Sequence, residues 1–141
     1  MKILKLLSFM LITLLVLNCS NDDDNFQPQI QPEPTTQDLL ISGKWYWVSS
    51  SESTLDDCQK QSYLEFIDLD TLLIEDFRIN SSDVCESNGI NSVTYQLIDD
   101  SIIQVTIGTD TSNLNIEFIS DTRLIITQEI SSGTMTTTLE K

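Results

Sequence analysis

Apolar residues recur at every second position through most of this chain, and that period restricts the possible fold more than any other feature. Trp45 and Trp47 share one face of a first segment, with Tyr46 and Val48 on the other. A period of two is typical of β-strands that bury one face. We therefore predict an all-β domain of eight strands without a long helix. The other seven strand segments lie at residues 64–66, 72–79, 93–97, 103–107, 114–118, 124–126 and 135–139.

Short groups of Asp, Ser and Gly separate most of these segments, and such groups favour turns. They lie at residues 68–70, 99–100, 108–110, 120–121 and 131–133. Short connections join antiparallel neighbours, so the order of the segments predicts an antiparallel up-and-down meander. Closure into a barrel would remove the unpaired edges of this sheet, and an open or sandwich-like sheet is the alternative. Only two connections are long, residues 49–61 and 80–91.

Alternate residues of each strand face the inside of an up-and-down barrel. Segment 72–79 is apolar on both faces at its start, so its orientation stays open. Among the other segments, the residues that we expect to point inward are Trp45, Trp47, Leu64, Phe66, Val93, Tyr95, Leu97, Ile103, Val105, Ile107, Leu114, Ile116, Phe118, Leu124 and Ile126. This apolar set either packs as a plain core or surrounds one small ligand, because barrels of eight strands do both.

The start of the chain predicts export. Residues 1–5 include two lysines, and residues 6–17 are apolar apart from Ser8 and Thr13. Such a run is typical of a secretory signal and is shorter than a transmembrane helix, which needs ~20 apolar residues. A short buried helix is the alternative, but the run has no amphipathic face and strong charge follows it. We therefore predict that this segment is a secretory signal peptide.

The end of this signal predicts a lipid anchor. The sequence Leu17-Asn18-Cys19 resembles the lipobox of bacterial lipoproteins, although a smaller residue usually stands where Asn18 does. The resemblance implies that residues 1–18 are a lipoprotein signal peptide and that Cys19 is acylated. An ordinary signal before a free cysteine is the alternative. The three aspartates at residues 22–24 are similar to an export signal of surface lipoproteins of the Bacteroidota. This similarity implies a lipid-anchored outer-membrane protein that faces the cell surface, with the periplasmic face as the alternative.

Residues 19–38 are polar and contain all three prolines, which predicts a disordered tether before a folded domain at residues 39–141. Lys2 and Lys5 leave with the signal, so the mature chain has 7 − 2 = 5 basic and 22 acidic residues, a net charge of −17. This charge argues against a nucleic-acid partner, which requires a basic face. The same charge argues against binding of an anionic membrane by the protein surface, so contact with the membrane would be made by the lipid.

Two cysteines remain if Cys19 is acylated. Cys58 and Cys85 lie on the two long connections, on either side of a predicted hairpin about residues 68–71. An even pair in an exported protein predicts one disulfide bond.

The Gly-Lys-Trp sequence at residues 43–45 resembles the Gly-x-Trp motif that opens the first strand of lipocalin-like domains. Residues 56–66 are similar to the corresponding segment of small lipocalin-like lipoproteins of the Bacteroidota. In those proteins a second cysteine precedes the fourth strand, and Cys85 has that place here. The resemblance implies a lipocalin-like barrel for residues 39–141 and no particular ligand. In lipocalins proper an arginine from a late strand stacks over this tryptophan; Arg123 is the only late arginine here, and its context does not match.

The composition removes several kinds of enzyme. The chain has no histidine, which excludes Ser-His-Asp and Cys-His sites within it. Carboxylates are paired at residues 56–57, 68 and 70, and 99–100, but each pair lies in a predicted loop or turn, where Asp commonly bonds to the backbone. We therefore predict no catalytic residue, no metal site and no cofactor.

Our first hypothesis for the function is a non-enzymatic envelope protein that binds a small apolar or amphiphilic ligand inside the barrel. The long polar connections would flank the opening. Because the domain has few cations, the head of such a ligand would be neutral or cationic rather than anionic. The alternative is a filled barrel whose acidic loops bind another envelope protein, and a hydrolase that uses paired carboxylates is third.

Overall fold

Eight antiparallel strands follow one another around a closed barrel in the structure, a computed structural model that describes residues 32–141. Each strand pairs with the next, and β8 pairs with β1. The predicted up-and-down barrel is therefore confirmed, and the open sheet is excluded. The predicted signal peptide, Cys19 and most of the predicted tether lie outside the described residues. The strands are β1 (Lys44–Ser50), β2 (Tyr63–Phe66), β3 (Thr71–Ile79), β4 (Cys85–Ile98), β5 (Ile102–Ile107), β6 (Asp110–Ile119), β7 (Arg123–Ile130) and β8 (Gly133–Glu140).

The two ends of the barrel differ. One end carries the short helix α1 (Thr36–Leu40) and the turns at residues 67–70, 99–101 and 120–122, and we name it the closed end. The other end carries the connections at residues 51–62, 80–84, 108–109 and 131–132, with a 3₁₀ helix at Gln59–Gln61, and we name it the open end. Within residues 32–141, none of the helices is long and apolar enough to cross a membrane.

Helix α1 covers the closed end. The Thr35 hydroxyl accepts a hydrogen bond from the Asp38 amide (3.1 Å), and the Asp38 carboxylate accepts one from the Thr35 amide (2.9 Å), which together form a capping box. Leu40 is fully buried, and its carbonyl accepts a hydrogen bond from the Trp45 indole nitrogen (3.0 Å). The domain thus includes residues 36–38. Their polar composition had assigned them to the tether, because one capped turn of helix leaves no periodic pattern in the sequence.

The prediction of a long loop at residues 80–91 is wrong. The connection spans only residues 80–84, and the strand that follows is exposed at residues 85–92. Here β3 and β4 continue as a two-stranded ribbon, in which Arg78 pairs with Glu86. Because both faces of this ribbon meet water, no alternation of apolar and polar residues marks it in the sequence.

The predicted interior position of Phe118 is also wrong, since its side chain is 48% exposed. Ile116 pairs with Ile126, whereas Phe118 pairs with Ile125, so β6 contains one extra residue between the two pairs. Such a β-bulge shifts the alternation of side chains by one position. Ile119 packs against the core in place of Phe118.

Large side chains fill the half of the barrel next to the closed end. Trp45 and Phe66 are at most 1% exposed, and the ring centroids of Phe66 and Tyr95 lie 4.9 Å apart in an edge-on contact. The Tyr95 hydroxyl donates a hydrogen bond to the Asp68 carbonyl (2.6 Å) and accepts one from the Gln37 side chain (2.7 Å). Burial raises the pKa of Tyr95, so the hydroxyl keeps its proton and can donate.

Candidate functional site

A cavity of about 300 Å³ occupies the barrel next to the open end. Most of its wall is aliphatic, whereas the rings of Trp45, Phe66 and Tyr95 pack in the closed half. The interior is therefore core at one end and cavity at the other. The apolar wall consists of Trp47, Leu64, Leu72, Ile74, Val105, Ile107, Leu114, Ile126 and Met135. The polar lining residues are Ser50, Asp76, Ser112, Thr127, Gln128 and Thr137.

The structure places nearly all residues that we expected to point inward in one hydrophobic cluster. Apart from Phe118, the exception is Ile107, which is 59% exposed at the rim although it lines the cavity. The predicted residues that lie in the core or pack against it are Trp45, Trp47, Leu64, Phe66, Val93, Tyr95, Leu97, Ile103, Val105, Leu114, Ile116, Leu124 and Ile126.

Several interior residues were missed by the sequence reasoning. Leu72 of β3 is fully buried, and it pairs with Val93, which alternation had already directed inward. Leu139 of β8 is also fully buried and pairs with Leu124. Directly paired residues of antiparallel strands lie on the same face of the sheet, so the register of each hairpin was the signal that could have found both.

A disulfide bond joins Cys58 to Cys85, with 5.5 Å between their Cα atoms, and this confirms the predicted pair. It ties residues 51–62 at the open end to the start of β4. The Asp56 carboxylate fixes the same segment, because it accepts hydrogen bonds from the amides of Cys58 (2.9 Å) and Gln59 (2.8 Å). One flank of the open end is therefore held by a covalent bond and by local hydrogen bonds.

The other paired aspartates lie in turns, as predicted. Asp68 accepts hydrogen bonds from the amides of Asp70 (3.1 Å) and Thr71 (2.7 Å), and these bonds lower the pKa of Asp68. Asp99 and Asp100 form a turn with φ values of 49° and 54°, a conformation that Asp tolerates better than most residues. Within the described residues, no three side chains of the metal-binding types come together.

A lysine lies where the resemblance to lipocalins pointed to an arginine. Arg123 does not contact the tryptophan; its Nε lies 3.7 Å from a carboxylate oxygen of Glu140. Instead, Nζ of Lys141 lies 4.1 Å from the centroid of the Trp45 ring, a cation–π contact. Nζ also donates a hydrogen bond to the Leu39 carbonyl (3.4 Å), which joins α1 to the end of the chain.

A comparison with protein families identifies the family of this chain. No curated protein matches the chain. A solved structure of bovine odorant-binding protein, in complex with a selenium-containing odorant, aligns with 79% of this chain and 74% of its own, at 14% identity and a TM-score of 0.45. A family model described as a lipocalin-like domain matches residues 41–126, more than half of the chain. The chain therefore belongs to the family of lipocalin-like domains.

Proposed function

We propose that this protein is a non-enzymatic, lipid-anchored binder that holds one small apolar or amphiphilic ligand in the cavity at the open end. The observation that carries the proposal is the cavity itself, about 300 Å³ with a mainly aliphatic wall. A space of this kind beside a well-packed core is uncommon, since protein interiors are otherwise close-packed. The cavity therefore favours a binding barrel over a filled one.

The cavity limits the size of the ligand. Its volume is at the lower end of the range for small-molecule sites, ~300–1,000 Å³. Since ~150 Å³ is enough for benzene, we expect a ligand of roughly ten non-hydrogen atoms. Burial of about eight methylene groups at ~0.8 kcal/mol each would yield roughly 6 kcal/mol, which corresponds to a Kd of tens of micromolar.

A carboxylate-based hydrolase has less support. A mechanism of that type needs two carboxyl groups that face one substrate, several Å apart. The described lining of the cavity includes one carboxylate, that of Asp76. The carboxylates of Asp56 and Asp68, by contrast, are hydrogen-bonded to the backbone of their own turns.

An interaction module of the envelope is the second candidate, and one observation favours it. The ribbon of β3 and β4 beyond the barrel exposes Ile79, Val84 and Ile90, each more than half accessible. Exposed apolar groups of this kind sometimes mark protein contacts. In that case the ribbon, and not the cavity, would be the functional surface.

The location that we propose is the outer membrane, with the domain anchored through Cys19. The sequence Leu17-Asn18-Cys19 supports the anchor, and the aspartates at residues 22–24 support the surface side. The bond between Cys58 and Cys85 fits an oxidising compartment outside the cytoplasm.

The binding role is tested by filling the cavity. An environment-sensitive apolar dye should bind with a stoichiometry of one, and Leu114→Trp should abolish binding because the larger ring occupies the space beside β6. Asn113→Trp is the matched control, since Asn113 is the exposed neighbour on the same strand. A folded wild-type protein that takes up no dye and yields no small molecule on native extraction would contradict the proposal and favour the interaction module.

A further inference from the structure

One charged side chain lines the otherwise apolar cavity. Along β3, Leu72, Ile74 and Asp76 are lining residues at alternate positions. A β-bulge follows the pair of Glu75 and Ile90, but its extra residue belongs to β4. The alternation of side chains along β3 is therefore unchanged. Asp76 is thus the outermost of three side chains on one face of β3, at the mouth of the cavity.

The Asp76 carboxylate differs from its neighbour Glu75. The Glu75 carboxylate accepts a hydrogen bond from the Ser87 hydroxyl (2.6 Å), and this bond together with one from Tyr63 lowers the pKa of Glu75. Among residues 32–141, no side chain or amide forms a hydrogen bond or an ion pair with the carboxylate of Asp76. A partly buried carboxylate without protein donors has its charge available for a ligand.

The nearest basic residue in the sequence does not neutralise Asp76. Arg78 is two positions farther along β3, on the exposed ribbon, and its direct cross-strand partner is Glu86. Opposite charges at directly paired positions attract each other, so the Arg78 side chain is drawn towards Glu86 on the ribbon. The mouth of the cavity therefore presents a negative charge above an apolar wall.

We propose that the ligand carries a protonated amine, which binds the Asp76 carboxylate while its apolar body lies against Leu72, Ile74 and Trp47. This inference rests on the proposed binding function and names the class of ligand. An ammonium group supplies the donors that Asp76 lacks, and the apolar wall strengthens their attraction by lowering the local dielectric constant. A carboxylate ligand would meet repulsion from Asp76 at the same place.

Three probes with the same chain and different heads test this inference. Octylamine, octanol and octanoate are each titrated against the bound apolar dye at neutral pH. Octylamine should displace the dye at a concentration about tenfold or more below that of octanol, because a hydrogen bond to a charged group contributes more than one to a neutral group. Octanoate should be the weakest. Added salt should weaken the binding of octylamine more than that of octanol.

Variants then assign the preference to one carboxylate. Asp76→Asn should reduce the affinity for octylamine about tenfold and leave that for octanol unchanged, while Asp76→Glu should keep the preference. Glu129→Gln is the charge-matched control, because Glu129 is exposed at the open end, next to the lining residue Gln128. Circular dichroism checks that each variant is folded, and if Asp76→Asn does not fold, the ranking of the probes on wild-type protein decides.

The outcomes separate the two proposals. Equal affinity for octanol and octylamine, or an amine preference that persists in Asp76→Asn, overturns the role of Asp76 and leaves the binding function standing. If neither the dye nor any probe binds the folded protein, the binding function fails, and this inference fails with it.

Discussion

Asp68 shows how a single acidic residue contributes to this barrel. It lies in the turn between β2 and β3, where its carboxylate accepts hydrogen bonds from two amides, and its backbone carbonyl accepts the bond from the Tyr95 hydroxyl. The first two bonds favour the ionised form, so the pKa of Asp68 is lowered in the folded state. One residue therefore shapes a turn through its side chain and holds a core aromatic residue through its backbone.

We predict that Asp68 contributes to the acid sensitivity of the fold. A carboxyl group with a lowered folded pKa contributes stability above its unfolded pKa, ~3.9, and loses it as the pH falls through the folded value. The free energy of unfolding of Asp68→Asn should therefore decrease less below about pH 4 than that of the wild type. Thermal unfolding at neutral and acidic pH measures this difference. Asp110→Asn is the control, and an acid profile of Asp68→Asn identical to that of wild type would contradict the prediction.

At the scale of elements, the disulfide closes the hairpin of β2 and β3 together with the ribbon that follows it. Cys58 and Cys85 are 27 residues apart in sequence, so the bond encloses a large loop of the unfolded chain. In the chain-entropy account, a loop of this size contributes about 3–4 kcal/mol to stability.

We therefore predict that Cys58→Ser with Cys85→Ser lowers the free energy of unfolding by about 3 kcal/mol. Urea denaturation measures the change, and reduced wild-type protein should match the double variant. Mass spectrometry of protein purified from the envelope should find both thiols oxidised. Equal stability of the oxidised and reduced proteins would show that the bond does not support the fold.

The elements that the sequence predicted best are those with one buried face. Strands β5 and β7 have clear alternation because one side packs in the barrel and the other meets water. The exposed ribbon of β3 and β4 and the single turn of α1 have no such contrast, so alternation could not reveal them. Phe118 was misplaced for a related reason, since a bulge changes the direction of side chains without a signal in the apolar pattern.

At the scale of the whole molecule, the barrel was more predictable than its cavity. Short turns and one period determine which strands are neighbours, and closure follows from the need to pair both edges. Whether space remains depends on the summed volumes of side chains from all the strands, and alternation says nothing about that sum. Asp76 was missed because the orientation of segment 72–79 could not be assigned before its register with β4 was known.

The anchor determines where this cavity would work, and we predict that it is the lipid on Cys19. Cells that are supplied with labelled palmitate should incorporate the label into this protein, because acylation would occur at that thiol. Cys19→Ala should abolish the label, while the neighbouring change Ser20→Ala should preserve it. Label retained in Cys19→Ala would exclude this anchor.

The side of the membrane is a separate prediction. If the aspartates at residues 22–24 direct display on the cell surface, then replacing all three by Ala should leave the palmitate label intact and protect the domain from protease added to whole cells. The negative charge of the leader would be the signal, so replacing the three aspartates by Glu should preserve access of the protease to the domain. Wild-type protein that resists protease on intact cells and is cut only after the outer membrane is opened would place the cavity on the periplasmic face. In that case the ligand would be a molecule of the periplasm, and the three aspartates would be a solvated leader.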